Sequence, residues 1–125
     1  MSTPFTIAQK NNLPVLDSQF FVVELGHAGT PSDFFADLRA EINIEFAAAG
    51  ETPPQNLRAV LISNDHASHA CYLSSKFMRS AVDRGICLEA GDAIFLALGS
   101  GEPGTTNSFE YGSNNAVTLS VACFY

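Results

Sequence analysis

Asp65-His66-Ala67-Ser68-His69 is the one cluster of metal-ligating residue types in this sequence. On a helix, His66 and His69 would share a face, as His-x-x-His pairs do when they hold zinc or iron. A third ligand at a known spacing is missing, so a metal centre would need the fold to bring His27 to the pair from far upstream. Cys71 would make a Cys/His pair under the same condition. The favoured reading is a polar loop, with no metal and no cofactor.

Other chemistries have less to work with. There is no Gly-x-Ser-x-Gly elbow, and Ser74 and Ser75 fall in no strand-to-helix turn of the kind that exposes a nucleophile. Gly99-Ser100-Gly101-Glu102-Pro103-Gly104 is glycine-rich but lacks the lysine and following helix of a phosphate cradle. Carboxylates are abundant, yet nothing in a linear sequence selects a pair at glycosidase separation. Asp92, Glu102, Glu110, Asn114 and Asn115 lie in or beside loops free of cations, which makes calcium worth weighing; no ordered Asp-x-Asp-x-Asp pattern accompanies them. Phe109, Tyr111, Phe124 and Tyr125 could form a ligand platform, but a core or subunit contact is the simpler use, and they are the candidate interface. No residue is nominated as catalytic.

Cys71, Cys87 and Cys123 are an odd number at wide spacings, each beside apolar residues, with no zinc or redox motif. Each is expected to be a free, buried thiol acting as a small core hydrophobe. Met1-Ser2-Thr3-Pro4 lacks the basic start and apolar run of a signal peptide, which points to a reducing cytoplasm.

The elements that would position these groups are mostly strands. From 34 to 46 the even positions (Phe34, Ala36, Leu38, Ala40, Ile42, Ile44, Phe46) are apolar and the odd ones from Asp37 onward are polar. Period two predicts a strand over 40–46, with a helical turn allowed at 32–38 after Thr30-Pro31-Ser32-Asp33. Further strands are expected over 20–25, behind the Pro53-Pro54 breaker over 57–62, and at the alternating C-terminal run 117–125. Residues 86–88, a Glu89-Ala90-Gly91-Asp92 turn and 93–98 make strand, turn, strand. Loops rich in Gly, Pro, Ser, Thr and Asn are expected at 27–31, 49–56, 99–108 and 112–115. The stretch 66–84 fits neither period.

With 125 residues the chain suits one domain, 1–125, around a single core. At 46% hydrophobic and 15% charged it is too apolar for disorder, while no apolar run approaches the roughly 20 residues that span a bilayer. Six Lys and Arg against thirteen Asp and Glu give a net charge of −7, and residues 85–125 carry no Lys or Arg. That balance argues against binding nucleic acid, whose backbone needs clustered cations. The predicted fold is all-β, a jelly-roll or β-sandwich with at most one short helix.

The run from Leu88 to Leu98, in which a Gly91-Asp92 turn feeds an apolar strand, followed by a polar loop with Phe109 and Tyr111 and a closing aromatic strand, resembles the last third of the tumour necrosis factor and complement globular-head jelly rolls. The resemblance covers about forty residues. Jelly-roll decoration and cement proteins of tailed phages are similar too, and suit a chain with reduced cysteines better. This resemblance implies a homotrimer with aromatic packing near its threefold axis, seated on a capsid or other protein surface in a virion assembled in the host cytoplasm. The Gly91-Asp92 stretch also resembles the second half of a cupin motif, but Ala97 stands in place of its proline, Glu102 about where its histidine would be, and no His-x-His precedes it.

The resulting expectation is a non-enzymatic structural or adhesive module. Two alternatives are a cupin-like metal enzyme built on His27, His66 and His69, and a calcium-dependent lectin-like domain.

Overall fold

The computed structural model describes residues 19–74, 86–99 and 109–125. Their elements are β1 (Phe20–Asp33), α1 (Phe34–Ala49), β2 (Ala59–Asn64), β3 (Cys71–Ser74), β4 (Ile86–Leu88), β5 (Ala93–Ala97) and β6 (Glu110–Phe124). The two long strands, β1 and β6, pair antiparallel from Phe20↔Phe124 to Asp33↔Glu110. On its other side β6 is shared. Its first residues pair with β3, which carries β4, and its last residues pair with β2, which carries β5. Among the described residues two four-stranded antiparallel sheets therefore share the β1–β6 pair, and with one helix they make an all-β sandwich.

The shared pair can serve both sheets because it is irregular near its middle. Its register shifts between His27 and Gly29 and again between Gly29 and Ser32. Extra residues in one strand bend it and sharpen its twist. The turn residues at 27–31 and 112–115, expected as loops, lie inside β1 and β6 instead. Glycine and small polar residues let a strand bend as readily as they let a chain reverse, and here pairing keeps both strands going, β1 with β6 and β6 with both β1 and β3.

The expected strand over 40–46 is a helix. Asp33 Oδ1 caps it by accepting from the Ala36 amide at 2.9 Å, and Gly50 ends it at φ 73°, its own amide and that of Glu51 bonding back to Ala47 and Phe46. Burial follows a helical stripe. Phe34, Phe35, Leu38 and Ile42 are inside, whereas Ile44 is 63% exposed. Spacings of four satisfy a period of two as well as a helical face, so Leu38, Ile42 and Phe46 fit both patterns; Ala36, Ala40 and Ile44 were the positions that differed.

The helix stripe packs with Val23 and Leu25 of β1, Val60 and Ile62 of β2, Leu73 of β3 and Leu119 and Val121 of β6 in one core. A smaller cluster, Val22, Ala59, Leu61, Ala122 and Phe124, forms from the alternate residues of β1, β2 and β6. Both faces of this part of the sandwich are thus apolar, which explains the near-continuous hydrophobic run of β2, buried at all six positions. The C-terminal run pairs on both sides, as its apolarity requires.

Residues 86–88 and 93–97 are strands, but they serve different sheets, β4 against β3 and β5 against β2. The turn between them has Gly91 at φ 86° and a bond from the Asp92 amide to Glu89 O at 2.9 Å. Within the stretch that fits neither period, β3 occupies 71–74, and 75–84 lies outside the described residues. Among the described residues no helix is long and apolar enough to cross a membrane.

Candidate functional site

The segment from Asn64 to His69 is a loop held by one buried side chain. Asn64 is fully buried; its Nδ2 donates to His69 O at 2.8 Å and Leu88 O at 2.9 Å, and its Oδ1 accepts from the His66 amide at 3.0 Å. Its backbone N–H donates to Asp92 O and its carbonyl accepts from the Gly91 amide, each at 2.9 Å. One asparagine thus fastens the end of β2 to the β4–β5 turn.

Inside this loop His66 Nδ1 accepts from the amides of Ser68 and His69, both at 3.1 Å, and the two imidazoles stack with centroids 4.5 Å apart. The segment is a polar loop, as favoured, and not the helix on which His66 and His69 would have shared a face. The Nδ1 lone pair of His66 caps backbone donors. His27 lies in β1 opposite Val117, and its side chain is outside the described residues. Among the described residues no three His, Cys, Asp or Glu groups gather as a metal site.

Asp65 accepts from Ser63 Oγ at 3.4 Å and, in a short contact, from the buried Ser120 Oγ. The serine donates straight to a carboxylate with no imidazole between them, an arrangement that joins β2 to β6. Of the calcium candidates, Asp92 Oδ2 accepts from the Glu89 amide at 3.2 Å within its own turn. Glu110 opens β6 opposite Asp33, and the Asn115 amide donates to Ser113 Oγ at 3.3 Å. Glu102 and the side chain of Asn114 lie outside the described residues.

Two thiols meet expectation and one does not. Cys71 and Cys123 are buried, and burial pushes the Cys71 thiol up to about 11. Cys87 is exposed, on a strand that among the described residues pairs with β3 alone.

The proposed aromatic interface is narrowed by burial. Tyr111 and Phe124 are each 1% exposed and belong to the core. Phe109 is half-buried, its ring edge-on to Phe34 at 5.7 Å. Tyr125 remains, 39% exposed and with its ring 5.6 Å from that of Phe21, while the 43% exposed Phe20 lies on the other face against Phe124. In the core Tyr111 has a polar role: its hydroxyl and that of Ser32 both donate to Asp37 Oδ2 at 2.9 Å.

The feature that sequence reading missed lies between α1 and β1. A cleft of about 480 Å³ is lined by Glu24 and Gly26 of β1, Glu41 and Glu45 of α1, and Thr118 of β6. Glu41 and Glu45 stand one helical turn apart, and desolvation together with the charges of Glu41 and Glu24 raises the Glu45 carboxyl above its ordinary value. A second cleft of about 340 Å³ shares Glu45 and is otherwise mainly apolar, with Phe20, Phe21, Phe46 and Ala49 in its walls. The Glu41–Glu45 spacing was visible in the sequence, but a strand reading placed both on a solvated face without a neighbour.

Neither protein-family models, nor curated proteins, nor solved structures provide a match to this chain.

Proposed function

We propose that this chain is a non-enzymatic structural or adhesive module that binds neighbouring protein subunits, working as a homotrimer and, in its finer reading, as a decoration or cement protein on a capsid. One observation carries the reading. Phe20 and Tyr125 leave their rings partly exposed on opposite faces at the end of the β1–β6 pair, Phe20 against Phe124 and Tyr125 against Phe21. Aromatic side chains are enriched at the centres of protein interfaces, and a symmetric assembly repeats one such contact at each subunit. The engagement of Asn64, His66, Asp65, Ser120 and Tyr111 in holding loops and strands together also favours a scaffold. The likeness to jelly-roll decoration proteins supplies the virion setting.

Light scattering after size exclusion tests the reading. A trimer that persists on dilution and is lost in F20S/Y125S supports it; a monomeric wild-type protein at micromolar concentration removes the trimer and the contact together. For the finer reading, the protein should be found on purified particles in multiples of three per symmetric site.

A further inference from the structure

We propose that the edge of β1 from Phe20 to Gly26 that faces away from β6, unpaired among the described residues, is a strand-addition site for an extended segment of a partner protein that carries lysine or arginine, with Glu24, Glu41 and Glu45 receiving the cations. The inference rests on the binding-module reading above and names the chemistry of the partner.

The direction of the backbone groups follows from the ladder. The Tyr125 amide donates to Gln19 O at 3.0 Å, and the register continues as Phe20↔Phe124 and Phe21↔Cys123. Bonded and non-bonded pairs alternate in an antiparallel ladder, so Gln19, Phe21, Val23 and Leu25 turn their amides and carbonyls toward β6. Phe20, Val22, Glu24 and Gly26 turn theirs away. Among the described residues β1 pairs with β6 alone. At about 3.3 Å per residue this open edge is about 20 Å long, enough for a strand of ordinary length.

Space and charge accompany the edge. The acidic cleft reaches it at Glu24 and Gly26, where a Cβ on the glycine would meet nothing nearer than Val117 O at 4.0 Å. Three carboxylates line this space, and among the described residues no Lys or Arg does. A second copy of β1 would bring another Glu24 against the first, in a protein already at −7, so self-pairing is opposed. A cationic strand meets the opposite condition. Its main chain would bond to the edge, its lysines would reach the glutamates, and an apolar residue at its end would enter the cleft walled by Phe20, Phe21 and Phe46.

The test uses the full chain and a nine-residue synthetic peptide alternating lysine and valine, with NMR chemical shifts and amide hydrogen exchange as readouts. The expected result is saturable binding in which the amides of Phe20, Val22, Glu24 and Gly26 gain at least tenfold protection while those of Phe21, Val23 and Leu25 are unchanged. A glutamate-valine peptide should not bind, an N-methylated lysine-valine peptide should lose at least tenfold, and E41K/E45K should do the same. If E41K/E45K unfolds, E41Q/E45Q serves in its place. Equal binding of the N-methylated peptide would reduce the contact to charge alone and overturn the proposal. Edge amides already protected in the free protein would assign the edge to this chain itself and overturn it equally. No binding with the trimer intact removes this inference and leaves the proposed function standing, whereas a monomer that binds the peptide does the reverse.

Discussion

The hydroxyl of Tyr111 donates to Asp37 Oδ2 at 2.9 Å and so ties β6 to the first turn of α1 across 74 residues of chain. Phe34 stands edge-on to the same tyrosine ring at 5.3 Å, which locks its position from the side. Asp37 also accepts from Ser32 at the end of β1, so a single carboxylate joins the start of the helix to both long strands.

Replacing Tyr111 with Phe keeps the ring and removes this bond to a charged acceptor. The expected loss is about 1.5–3 kcal/mol in urea unfolding at pH 7. The pH dependence has a definite sign. Burial first, then the hydrogen bond and charge of Asp37, hold the phenol protonated well above its ordinary 10.0. The native state therefore keeps the proton more tightly than the unfolded chain, and this stability is complete below pH 10 and declines as pH rises above it. Wild type and Y111F should differ most at neutral pH and converge in alkali; a difference that grows with pH would refute the assignment.

Asn64 should be among the least replaceable polar residues. Asn64→Ala leaves the carbonyls of His69 and Leu88 without their side-chain donor, at a cost of about 3 kcal/mol. Asn64→Asp should cost more, since a carboxylate would face those same two carbonyls. Chemical denaturation measures both, and imidazole NMR shifts should report the loss of the His66–His69 stack in each.

Substitutions along α1 separate a helix from a strand. Ile42→Ala should cost about 2–5 kcal/mol as a core truncation, while Ile44→Lys should stay within about 0.5 kcal/mol of wild type, since Ile44 is 63% exposed. A strand with period two would bury both residues alike. Equal, large losses at 42 and 44 would contradict the helix. Asp33→Ala should cost about 1 kcal/mol through loss of the cap.

The thiols predict a labelling order. At pH 8 an alkylating reagent should modify Cys87 in the native protein and reach Cys71 and Cys123 only on unfolding. For Cys71 burial acts twice, blocking access and holding the thiol protonated up to about 11. Mass spectrometry of peptides after timed labelling distinguishes one fast site from three.

The apolar pattern of the amino-acid sequence was enough to place β2, β4, β5 and the C-terminal part of β6, because continuous or alternating burial in short segments leaves few other choices. It also supported an all-β sandwich, the buried positions of Cys71 and Cys123, and a polar loop at 65–69. The helix was concealed because a four-residue stripe lies inside a two-residue alternation, and alanines at 36 and 40 are small enough to fit either environment.

Only tertiary structure decided the rest. Whether Gly112 to Asn115 reverses the chain or bends a strand depends on partners at β1 and β3, far away along the chain. Whether Tyr111 faces another subunit or Asp37 depends on a helix starting opposite it. The cleft of Glu24, Glu41 and Glu45 exists because α1 lies beside β1, and a one-dimensional string of residue types carries no record of which surfaces are brought face to face.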